Sequence, residues 1–161
     1  MIKLMVCGYG RHGKDTFCEN LGVAFISSSA AALEVCIWDQ WGKGRYATKE
    51  DCFNDRANYR DNWHNLICAY NHNDLARLGE YVYSRAYIYC GIRCDREFKA
   101  LQGSHFDLSI WIDASKRLPP ESSSSCTVTS EMCDIIITNN GTEDEFLQKI
   151  NNFKKSIRRR W

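Results

Sequence analysis

Leu4-Met5-Val6-Cys7-Gly8-Tyr9-Gly10-Arg11-His12-Gly13-Lys14-Asp15-Thr16-Phe17-Cys18-Glu19-Asn20-Leu21 is the stretch whose reading decides the fold. Residues 4–7 are a short apolar run of the kind a buried strand needs, and a helix-capable segment opens near Lys14. Between them Gly8 and Gly13-Lys14 stand at the Gly-x4-Gly-Lys spacing of a phosphate-binding loop, in the order strand, loop, helix that the loop requires. Each residue type follows from the task. Glycines let the backbone amides of Gly8, Tyr9, Gly10, Arg11, His12 and Gly13 turn inward on phosphate oxygens, the helix amino end adds partial positive charge, and Lys14 neutralises the β and γ phosphates. The expected guest is a nucleoside triphosphate, ATP by default.

The position after the lysine, usually the Ser or Thr that holds magnesium, is Asp15, and Thr16 follows it. Gly13-Lys14-Asp15-Thr16 resembles the loop ending of the nucleoside monophosphate kinases, and of the phage deoxynucleoside monophosphate kinases in particular. The resemblance implies a three-layer P-loop NTPase fold, ATP as donor, and Mg2+ held with Thr16 and Asp15 as the candidate protein ligands.

Composition sets the outer bounds. A chain of 161 residues with 44% hydrophobic and 12% aromatic content can bury one ordinary core, so a single domain over 1–161 is expected. A net charge of +1 with 25% charged residues gives no global field pulling the chain onto nucleic acid or membrane, so any such attraction must be local. The nine cysteines are odd in number and irregular in spacing, and several (Cys7, Cys36, Cys68, Cys133) lie within apolar patterns. Free thiols in a reducing cytoplasm account for that better than a disulfide framework, and Cys90 and Cys94 lack the spacing of a zinc pair. No run approaches membrane-spanning length, so a cytoplasmic location, the host's cytoplasm if the chain is viral, and no membrane partner are expected.

Along the chain strand and helix patterns alternate, which argues for five parallel strands with helices on both faces, an α/β sheet whose ligands sit at the carboxyl ends of its strands. Residues 23–26 make the second strand, and Ser27-Ser28-Ser29 at its end fall on that edge. There they either cap the helix expected over 30–38 or bind an acceptor, Ser28 being the candidate. On a helix expected over 55–70, Tyr59, Trp63, Leu66, Ile67 and Tyr70 share one stripe, and Arg56 and Arg60 fall on it too. Arginines beside Trp63 need an anion or a carboxylate to offset desolvation. Two readings stand: acceptor phosphate, with Arg56, Arg60 and Trp63 binding substrate, or a structural pair with an acid such as Asp55 or Asp61.

Residues 73–85 look helical, 86–93 read as the third strand, and 94–101 as a helix on which Arg96 faces either cleft or solvent. Gly91-Ile92-Arg93 resembles the edge in nucleotide kinases whose arginine reaches the acceptor, which makes Arg93 a substrate-binding and catalytic candidate; the acid usual on that strand is replaced by Cys90. The fourth strand, 108–112, ends at Asp113, placed either for metal or base catalysis or for capping the turn that follows. The segment 114–126, with Lys116, Arg117 and a Ser-rich end, is similar in place to the mobile lid of nucleotide kinases, where Arg117 would stabilise the transferred phosphoryl group; the plain alternative is a solvated loop. A fifth strand, 133–137, leads into Thr138-Asn139-Asn140-Gly141-Thr142. That series resembles the adenine-side loop of dephospho-coenzyme A kinase, which places Asn140 near the base. Thr142 and Glu145 form a capping box for the last helix, with Phe146, Ile150, Phe153 and Ile157 as its apolar stripe. The basic terminus from Arg158 to Trp161 suits either phosphate contact or a plain helix end.

The function expected is transfer of the γ-phosphoryl group to a nucleotide acceptor, with Lys14, Arg93, Arg117 and Asp113 catalytic. Two acceptors compete: a free deoxynucleoside monophosphate, or 5-hydroxymethyluracil within phage DNA, which a compact branch of the resembled superfamily phosphorylates in thymidine hypermodification. The alternative from another class is a non-catalytic ATP-binding regulator.

Overall fold

A computed structural model describes residues 1–121 and 126–158. The expected α/β architecture is present: a five-stranded sheet, parallel throughout, with helices on both faces. Strand β1 (Leu4–Cys7) runs through the glycine-rich loop over residues 8–13 into helix α1 (Lys14–Leu21), which ends at Gly22 in the left-handed region, φ 70°. After β2 (Phe25–Ser27) the chain forms α2 (Ser28–Ala32), a π turn (Leu33–Ile37) and α3 (Trp38–Gln40) as one bent helical run. Helix α4 (Lys49–Asn54), a 3-10 turn (Asp55–Tyr59) and α5 (Arg60–Tyr70) follow. Then come α6 (Arg77–Tyr83), β3 (Ile88–Cys90), α7 (Asp95–Leu101), β4 (Leu108–Asp113), β5 (Ile135–Thr138) and α8 (Glu143–Ile157).

The sheet order is β2-β3-β1-β4-β5. Alternation along β1 divides the core. Leu4 and Val6 face one side with Phe17 and Leu21 of α1 and Phe146, Ile150, Phe153 and Ile157 of α8; Met5 and Cys7 face the other with Trp63, Leu78, Phe98 and Leu101. Both faces of β1 are closed, and so an unbroken apolar run serves as this strand. Neighbouring β1 and β3 send their connections to opposite faces, β1 to α1 and β3 to α7, and such a switch leaves a crevice at the carboxyl ends of the two strands. The loop over residues 8–13 and Gly91 to Arg93 therefore meet at one place.

Two expectations about elements are corrected. The helix expected over 55–70 is broken: Tyr59 leaves helical geometry (φ −128°, ψ 34°), and α5 proper begins at Arg60. Of the proposed stripe Trp63 alone is buried, while Tyr59 is 38% exposed and stacks edge-on against Trp41 at 5.1 Å. The second strand also lies slightly later than expected, because Phe25, Ile26 and Ser27 pair with Ile88, Tyr89 and Cys90. All nine cysteines are free thiols, six of them buried. Among the described residues no helix is long and apolar enough to cross a membrane.

Candidate phosphate-binding site

The loop between β1 and α1 is shaped by backbone that few side chains tolerate. Gly8 has φ 142° and a Cβ there would stand 2.6 Å from the Ile112 carbonyl oxygen; Gly13 has φ 100° and a Cβ would meet Asn139 Nδ2 at 2.6 Å. Arg11 is the one non-glycine residue at positive φ among the described residues (63°), at the exposed tip. His12 turns inward and is fully buried; its Nδ1 accepts from Ala114 N at 3.0 Å, joining the loop to the end of β4. Asn139 Nδ2 donates to the His12 carbonyl at 3.0 Å, joining the loop to the segment after β5. Tyr9 packs edge-on against His12 and Trp111, with ring centroids 5.4 and 5.1 Å away. The loop is thus clamped from two sides by the chain itself.

Lys14 Nζ donates to the Tyr9 carbonyl at 2.7 Å, folding the ammonium back over the loop. Burial holds its pKa below the ordinary lysine value, with Arg93 adding to the depression while Cys90, Asp15 and Glu121 oppose it. A partly desolvated ammonium near the anion-binding Gly10 amide is an electrostatic setting that favours an anion.

The cationic groups converge on a carboxylate that the sequence did not single out. Glu121 Oε2 accepts from the Gly10 amide at 2.9 Å and from Arg93 Nη1 at 2.7 Å, and its Oε1 accepts from Arg60 Nη1 at 2.9 Å. These contacts hold the Glu121 carboxyl below the usual range despite its burial. Arg56 lies within reach of the charges of Asp15 and Arg60; burial lowers its pKa, its Nη1 donates to the Phe53 carbonyl at 2.7 Å, and its guanidinium lies 3.9 Å from the Phe53 ring centroid. Neither Asp55 nor Asp61 is the acid for these arginines: Asp55 accepts from Tyr46 and Asn58, and Arg60 pairs with Glu121. Gly91 (φ 84°) presents its bare Cα to Lys14 and Ser28, where a Cβ would be 3.6 and 3.7 Å from them.

Several expected site residues have other local duties. Ser27, not Ser28, caps α2, its Oγ accepting from Ala30 N at 3.1 Å, while Ser28 Oγ donates to the Gly91 carbonyl at 2.8 Å and so stays at the cleft. Trp63 is 4% exposed and packs against Phe53, which removes it as a stacking surface for an acceptor base. Asp113 has both oxygens engaged, Oδ1 by Ser115 N and Oδ2 by Asn140 Nδ2, and these bonds hold its carboxyl below the ordinary range against burial. That is the turn-bracing role of the two open for it. Asn140 completes the brace by accepting from Lys116 N at 3.0 Å. Arg117 stands apart from the Glu121 cluster: its Nε donates to the Asn139 carbonyl at 2.8 Å, and it lines a cavity of about 180 Å³ with Thr16, Asn139, Gly141, Glu143 and Phe146. Arg96 is exposed. Residues 122–125 of the expected lid, and 159–161 of the basic terminus, lie outside the described residues.

Sequence reasoning missed Glu121, Asn139 and Glu143. Asn139 had a signal, since it neighbours Asn140 in a stretch already marked; Glu121 follows Pro119-Pro120, and nothing local says that this acid returns to the loop.

The donors fit a polyphosphate. A Cβ on Gly10 would stand 3.2 Å from Glu121 Oε1 and 3.8 Å from the Oε2 that the amide binds, so the bare glycine leaves room for a two-oxygen anion beside the amide. For a divalent cation, Asp15 and Thr16 offer adjacent oxygen groups at the start of α1, and Cys90 Sγ donates to Asp15 Oδ1 at 3.6 Å, marking where that carboxylate stands. Among the described residues no three His, Cys, Asp or Glu side chains gather to hold a metal; magnesium, which keeps several waters and takes phosphate oxygens, needs fewer protein ligands than that. Comparison with protein-family models and with curated proteins returns no match for this chain.

Proposed function

We propose that this chain is an ATP-dependent phosphotransferase of the P-loop kinase type, passing a phosphoryl group to a nucleotide acceptor. One observation carries the reading: a carboxylate sits at the Gly10 amide, one oxygen held by that amide and Arg93 and the other by Arg60, beside Lys14, at the carboxyl ends of β1 and β3. When bound, ATP with Mg2+ supplies the transferable group and part of the charge neutralisation. The chain's residues do the rest by position and charge. Gly8 to Gly13 offer amides to the donor phosphates, Lys14 leaves the Tyr9 carbonyl for a phosphate oxygen, and Thr16 and Asp15 orient the cation. Arg56, Arg60 and Arg93 hold the acceptor side, with Ser28 at its edge. Arg117 and the segment 139–141 border the nucleoside end of the donor. Asp113 and Asn140 keep that border in place.

The acceptor is a nucleotide, free as a deoxynucleoside monophosphate or carried in DNA as 5-hydroxymethyluracil. Incubation with γ-labelled ATP and each acceptor in turn tests the proposal: label is expected on one of them, lost in Lys14→Ala and reduced in Arg93→Ala. Tight ATP binding without transfer to either would leave a nucleotide-binding regulator and end the kinase reading.

A further inference from the structure

We infer that Glu121 is a built-in competitor for the phosphate site, its carboxylate seated where a phosphoryl oxyanion binds, so that ligand entry and release of Glu121 are one event. The inference rests on the phosphate-loop reading and goes beyond it. Three donors from three separate parts of the chain meet on this one side chain: the loop after β1, the first residue of α5, and the segment following β3. The Glu121 side chain is 14% exposed, against 36% for Arg93 and 59% for Arg60, so it is the acid that is drawn inward, not the arginines that are covered. Amide and guanidinium donors that bind a carboxylate in this way are the same groups that bind phosphate. Lys14, which a phosphate would engage, is instead turned back onto Tyr9.

The segment leading to Glu121 is built to let it go. Its root is fixed by Ala114 N on His12 Nδ1, Lys116 N on Asn140 and Arg117 Nε on the Asn139 carbonyl. Beyond Arg117, Leu118 is half-buried and Pro119 and Pro120 are exposed, and among the described residues Glu121 supplies this stretch's hold on the loop. Glu121 can leave while the root stays. A phosphate brings more negative charge than a carboxylate and gains Lys14 as well, so it displaces Glu121; the apparent affinity is lowered by the fraction of molecules in which Glu121 is seated. Displacement also takes the Glu121 carboxylate off Arg60 and Arg93, so that donor binding alters the charge facing the acceptor side.

The test is calorimetric titration of the full chain with inorganic pyrophosphate, for the unaltered protein, Glu121→Gln and Glu121→Asp, each checked for an unchanged melting curve. Glu121→Gln removes the charge at constant shape and is expected to bind about tenfold more tightly, as it would if Glu121 is seated in roughly nine molecules of ten. Glu121→Asp retracts the carboxylate and is expected to shift the same way by less, which keeps the test alive if the Gln variant folds poorly. Equal or weaker binding by both variants overturns the competitor and makes Glu121 an ordinary support of the site, while leaving the phosphate loop standing. No binding by any form, the unaltered protein included, overturns both.

Discussion

His12 and Glu97 are buried ionisable groups whose environments pull the pH dependence of stability in opposite directions. Burial first, and the Lys14 charge after it, lower the His12 pKa below its ordinary value of 6.5. Between the depressed value and 6.5 the folded chain therefore binds fewer protons than the unfolded one, and this group's contribution to stability is lost as pH falls through that window. Glu97, 4% exposed, accepts from Tyr89 Oη at 2.8 Å, and burial lifts its pKa from 4.5 to about 7. Here the folded chain holds the extra proton, so stability falls as pH rises from 4.5 through 7; the displacement corresponds to about 3 kcal/mol at most. Urea unfolding at a series of pH values checks both. Glu97→Gln is expected to remove the falling component and leave stability rising with pH, and His12→Asn to do the reverse; parallel profiles for all three proteins would contradict the assignment. Neither burial was legible in the sequence. His12 was read as a loop residue offering an amide, yet its ring is what ties the loop to Ala114, a contact between residues far apart in the chain.

Elements were legible where their signals are local. The capping box at α8 is present as read, Thr142 N donating to Glu145 Oε2 at 2.8 Å and Glu145 N to Thr142 Oγ1 at 3.3 Å, and the stripe Phe146, Ile150, Phe153, Ile157 is buried against α1 and the sheet. Thr142→Ala is expected to cost about 1 kcal/mol, seen as a lower urea midpoint with an unchanged slope. A cost near zero would mean that the helix is held by its apolar face alone. The helix over 55–70 failed for the complementary reason. A wheel assumes unbroken periodicity, whereas Tyr59 turns out of the helix to stack on Trp41, and no spacing within the segment announces that partner. The break has a consequence for the site, since it makes Arg60 the first residue of a new helix and lets its guanidinium reach Glu121.

For the whole molecule, alternating apolar runs and helical patterns were enough to give a parallel sheet, because strands buried on both faces must be uniformly apolar and their connections must cross over. What they could not give is which later residues return to the loop. Gly91 and Arg93 were expected there from a resemblance at the end of a strand, and they stand beside Lys14 and Glu121; Arg117, open between the transferred phosphoryl group and a solvated loop, lies with Asn139 at the neighbouring cavity. Glu121 was invisible, since its role depends on the path of a proline-containing segment and not on any motif. The proposed function requires the loop to be a polyanion site in which Lys14 exchanges a carbonyl for a phosphate. Titration calorimetry of ATP with Mg2+ into the unaltered chain and into Lys14→Ala addresses that most directly. Saturable binding by the first, weakened at least about tenfold in the second, is the predicted result; no heat with the unaltered chain, or equal affinity for both, would contradict it.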